Sequence, residues 1–99
     1  MSVTFWCPDA PQQESESLEI NMSNSNAHNM LDALGLADDD DYPCGSLEVA
    51  TAEPIIMKAQ ATATLNRMNG SHYWADRLEQ FIGLVGYARK NNYKEITWG

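Results

Sequence analysis

Basic residues are scarce. Six lysines and arginines stand against fourteen aspartates and glutamates, giving a net charge of −8. Gripping nucleic-acid phosphates directly needs a basic face, and this chain has little from which to build one. Anionic membrane surfaces are disfavoured for the same reason. Cysteine is scarce too: Cys7 and Cys44 are too few for a disulfide scaffold. No apolar run approaches the roughly 20 residues of a membrane span. Met1 to Ala10 lacks the basic and then apolar pattern of a secretory signal. These absences lead to an expected cytoplasmic location with both thiols reduced. Catalytic signatures are missing as well: there is no GxSxG, HExxH, P-loop or GxGxxG. Cys7, Cys44, His28 and His72 are the right types for zinc, but no CxxC or HxxxH spacing joins them. No catalytic residue, metal ligand or cofactor site is therefore expected, and the chain reads as non-enzymatic.

What is present suits one small domain spanning residues 1–99, with a normal apolar content of 43%. Val3 to Trp6 is β-branched and aromatic, a short strand ended by Cys7-Pro8. Asp9 to Ser17 is polar and reads as a solvated loop or a wide hairpin tip. Leu18 to Met22 alternates apolar and polar, as a second strand does. Ser23 to Asn26 supplies four capping residues ahead of a short helix near Asn24 to Leu34, with Gly35 placed to end it.

Ala37 to Gly45 is a loop holding four consecutive aspartates, and Ser46 to Val49 is a third strand. A helix over Ala52 to Met68 begins with Thr51 as cap and Pro54 in its first turn. Its apolar residues Ile55, Ile56, Ala59, Ala63 and Leu65 are mostly small, which suits close packing. Asn69-Gly70 breaks the chain. Over Asn69 to Asn92, Trp74, Leu78, Phe81, Ile82 and Val85 recur three and four apart, the signature of the main amphipathic helix. Glu95 to Trp98 closes as a strand. The order β-β-α-β-α-α-β gives an α+β fold: a small sheet of three to four short strands with three helices on one face.

The run Glu19 to Ala27, continuing through Leu31, Leu34 and Gly35, resembles a family of small uncharacterised bacterial proteins. In these an Asn/Ser-rich turn joins a strand to a short helix closing on Leu-Gly. The helix over Tyr73 to Arg89 and the closing strand ending in Trp98 are similar too. The resemblance implies a fold unit, of bacterial or phage origin, and points to no site.

Four features are candidates for function. Asn21, Ser23, Asn24, Ser25 and Asn26 could join backbone N–H groups at the helix start to hold an anion or small polar ligand, with His28 at the edge. Ordinary N-capping accounts for the same residues. Asp38 to Asp41 are consecutive rather than alternate, so they fit a solvated loop better than a calcium loop. Gly83 and Gly86 lie inside the main helix, where each costs about 1 kcal/mol relative to Ala. Close packing against the Ala-rich helix, or a partner on that face, would offset this. Finally, Tyr73 and Tyr87 lie on one side of the main helix and flank Leu84. With Trp74, Arg77 and Trp98 they make a candidate interface. The expected function is a small acidic interaction domain, an inhibitor or adaptor acting on a protein partner, or a homodimer. A ligand or metal module built on the Asn21 to His28 turn is the alternative.

Overall fold

A computed structural model describes residues 2–37 and 43–99, with side chains throughout except at 15–17. The aspartates at 38–41, with residue 42, lie outside the described residues, and Gly45, expected in that loop, opens β3. Four strands form one antiparallel sheet: β1 (Ser2–Trp6), β2 (Ile20–Ser23), β3 (Gly45–Glu48) and β4 (Glu95–Trp98), in the spatial order β2-β1-β4-β3. Strict alternation sends Val3, Phe5, Ile20, Met22, Leu47, Ile96 and Trp98 to one face, where all are buried. Phe5 pairs with Trp98 across β1 and β4, with ring centroids 5.7 Å apart. Gly45 is opposite Trp98 in β3, and a Cβ there would sit 3.1 Å from the indole, so glycine is what lets the ring lie flat on the strand.

The helices cover that face. They are α1 (Gln12–Leu18), α2 (Asn24–Ala33), α3 (Glu53–Met68) and α4 (His72–Lys90), with a 3-10 turn over Val49–Thr51 leading into α3. The main helix does organise the core. Leu78, Phe81, Leu84, Val85 and Ala88 of α4 are buried, and Phe81 meets Phe5 edge-on at 6.2 Å. Each such large side chain contributes about 1.5–3 kcal/mol by leaving water. Helix α3 packs beside α4 through Ile56, Ala59 and Ala63, while Ala75 of α4 is fully buried.

The ends of α2, α3 and α4 share one device. Gly35, Gly70 and Asn92 adopt positive φ of 74°, 81° and 59°. The next N–H then closes back five residues, Leu36 to Leu31 at 2.8 Å, Ser71 to Asn66 at 2.7 Å and Tyr93 to Ala88 at 2.8 Å.

The three expected helices and the strands stand in the expected order. The polar stretch expected as a loop, by contrast, holds α1. Its sequence QQESESL has no apolar stripe to announce a helix. Gln, Glu and Leu favour helix intrinsically, and Pro11 stands just before the first turn, whose Glu14 N–H donates to the Pro11 carbonyl at 3.0 Å. Two capping expectations also differ. Thr51 belongs to the 3-10 turn, so Ala52 takes the N-cap position of α3, and Ser71 precedes α4 without a side-chain cap bond.

Candidate functional site

The Asn/Ser turn is real, but its side chains do not converge. Ser23 caps α2, its Oγ accepting from Asn26 N at 3.2 Å. Asn21 points to the opposite sheet face and donates to Thr4 Oγ1 at 2.9 Å. Asn26 donates to the Tyr73 hydroxyl at 3.1 Å, tying α2 to the start of α4. Ser25 and His28 are exposed, and the buried Asn24 Oδ1 has no partner among the described residues. One residue caps; the others brace the turn or face solvent.

The aromatic set expected as an interface is divided. Leu84 and Trp98 are 2% and 4% exposed, so both belong to the core and neither is free for a partner. Tyr73 and Trp74 meet edge-on at 5.2 Å, and the Arg77 guanidinium stands 5.1 Å from the Tyr73 ring centre. At the far end of α4, the Tyr87 hydroxyl donates to the Glu14 carboxylate and its ring leans on Tyr93. That carboxylate holds the Tyr87 pKa well above the usual tyrosine value. The half-buried Tyr87 thus fastens α1 to α4. Of the six, Tyr73 is the one counted among the large exposed apolar side chains.

Gly83 and Gly86 do not pack on α3. Both face solvent, and a Cβ added at either meets nothing within 4 Å. The close approach of the two helices comes from their buried alanines. Leu65, expected among the packing residues of α3, is 60% exposed, alongside Met57 at 61% and Met68 at 78%. Here the sequence carried a signal: Met57, Ala61, Leu65 and Met68 recur at helical spacing on the side opposite Ile56, Ala59 and Ala63.

The second unannounced surface is the sheet face away from the helices. It carries Thr4 and Trp6 of β1, Asn21 of β2, Ser46 and Glu48 of β3, and Glu95 and Thr97 of β4, all exposed or half-buried. In register, Trp6 neighbours Thr97, Thr97 neighbours Ser46, and Glu95 is directly opposite Glu48. Thr97 Oγ1 is buried without a partner among the described residues.

Cys7 is buried, and burial raises its thiol pKa; Cys44 is exposed. Among the described residues no three His, Cys, Asp or Glu side chains are grouped closely enough to hold a metal ion, and no helix is long and apolar enough to cross a membrane. Comparison with protein-family models, with curated proteins and with solved structures gives no match.

Proposed function

We propose that this chain is a non-enzymatic cytoplasmic interaction domain, an inhibitor or adaptor that takes a basic protein segment on its open sheet face. The observation that carries the reading is the register of β3 and β4. Two glutamates directly opposite each other on an uncovered face destabilise the free sheet, by about 0.2–1 kcal/mol. A lysine or arginine laid between Glu48 and Glu95 would turn that repulsion into attraction. Trp6, one row along the same face, offers an aromatic surface to a neighbouring cation or aliphatic stem. Charge is also uneven along the chain. Residues 53–90, which make α3 and α4, hold five cations and only three acids. The rest of the chain holds the other eleven acids and a single cation, Lys94.

Calorimetric titration with a Lys/Arg-rich peptide tests this. Saturable binding is expected at low salt, weakening about tenfold or more in Glu48→Gln/Glu95→Gln, the usual scale for a lost charge partner. The same double variant should unfold at a slightly higher temperature than the wild type, because its free sheet is relieved of repulsion. No binding at low salt, or binding indifferent to the double substitution, would remove the reading.

A further inference from the structure

The outward face of α3 is the part of the molecule least suited to water. Taking 3.6 residues per turn, Met57, Ala61, Thr64 and Met68 fall within about 60° of one another around the helix, with Pro54 and Leu65 beside them. Met57, Leu65 and Met68 are among the few large apolar side chains the molecule exposes. The Thr64 hydroxyl donates to the Gln60 carbonyl at 3.0 Å, so its proton is engaged within the helix. Charged groups stand at the margins: Arg67 pairs with Asp76 and Glu79 at 3.0 and 2.9 Å, Glu53 pairs with Arg89 at 3.0 Å, and Lys58 lies beside Leu65 with its Nζ toward Gly35. A solvated helix face ordinarily carries its charges in the middle.

The order of residues along this ridge says what fits it. Met57, Ala61, Thr64 and Met68 read large, small, small, large, with the same spacing from either end. Under a two-fold axis Met57 of one copy meets Met68 of the other and Ala61 meets Thr64, so bulky side chains pair at the ends and small ones at the crossing. Charge points the same way. The α3–α4 layer, with five cations against three acids, is the part of the chain where two acidic molecules can meet without setting acid on acid. A basic partner would gain nothing there.

We infer that α3 is a self-association face. Two copies pair with their α3 helices antiparallel, Met57 of one protomer beside Met68 of its partner, and Ala61 and Thr64 at the crossing, where small side chains let the helices approach. A single helix face per protomer is at the small end of interfaces, below the roughly 1,200 Å² of a standard one, so the pairing is weak and concentration-dependent. It stands independently of peptide binding on the opposite side of the molecule.

Sedimentation equilibrium of the full chain, from micromolar to millimolar concentration, tests it. The average mass should climb from 11.0 kDa toward twice that value. Ala61 is exposed, so Ala61→Glu and Ala61→Lys leave the fold intact, which circular dichroism checks. Each variant alone should stay monomeric, since it sets like charges together at the crossing. An equimolar mixture of the two should associate again. A wild-type mass fixed at 11.0 kDa, single variants that pair as the wild type does, or a mixture that fails to recover would each overturn the pairing. A monomer that still binds the basic peptide would remove this inference and leave the sheet-face reading standing.

Discussion

Tyr87 shows how a side chain suited to an interface can be used up inside the molecule. Its hydroxyl donates to Glu14, and the contact joins residues 73 positions apart. The raised pKa fixes the sign of a pH effect. The folded state favours the protonated phenol, so the stabilisation is complete below the unfolded value of 10.0 and is lost as pH climbs toward the higher folded value. Tyr87→Phe should therefore be less stable than the wild type at neutral pH, and the gap should close in alkaline solution above pH 10.0, read from urea midpoints at each pH. A gap that stays constant through the alkaline range would mean that the Glu14 bond contributes nothing. Tyr73 is engaged likewise by Asn26, 47 positions away. Both tyrosines are legible in the sequence as lying at the margin of the α4 apolar stripe. Their partners are not, because local periodicity carries no information about which distant polar side chain will arrive.

At the scale of the element, legibility follows the contrast between the two faces. Helix α4 and strand β4 alternate sharply between apolar and polar, and both appear where the pattern places them. Helix α2 has its cap at Ser23 and its left-handed stop at Gly35. Helix α1 has no apolar face, so its propensity and its anchor on α4 had to be seen in space. Helix α3 is the opposite case. It carries apolar residues on two opposite sides, so the sequence identifies a helix but cannot choose which side meets the core, and Leu65 falls on the other side. Gly83 and Gly86 mislead for a related reason, since close packing and open solvent both tolerate a missing side chain. Their surroundings decide the outcome of a substitution. With free space at both positions, Gly83→Ala and Gly86→Ala should each stabilise the protein by about 1 kcal/mol through the backbone entropy removed from the unfolded chain. Denaturant midpoints shifting upward with unchanged slope would bear this out. A loss of stability would show that the glycine backbone itself is needed.

For the whole molecule, the count of −8 conceals an uneven distribution. Most of the acids lie outside α3 and α4, a segregation visible along the sequence, and the fold gives it spatial meaning by packing those two helices side by side. Three consequences respond to salt in different directions. Screening relieves acid–acid repulsion such as that between Glu48 and Glu95, so added sodium chloride should raise the melting temperature of the free protein. Peptide capture on the sheet face depends on opposite charges and should weaken over the same range. Pairing through α3 rests on apolar side chains from a nearly balanced layer, and it should hold or strengthen as salt rises. Melting curves, peptide titrations and sedimentation, each run from about 0.02 to 0.5 M salt, where the screening length falls from tens of ångströms to a few, separate the three. Stability that falls with salt would place the dominant charge interactions among attractive pairs such as Arg67 with Asp76 and Glu79, and Arg89 with Glu53. Self-association that dissolves with salt would show that charge, not the methionine ridge, holds the copies together.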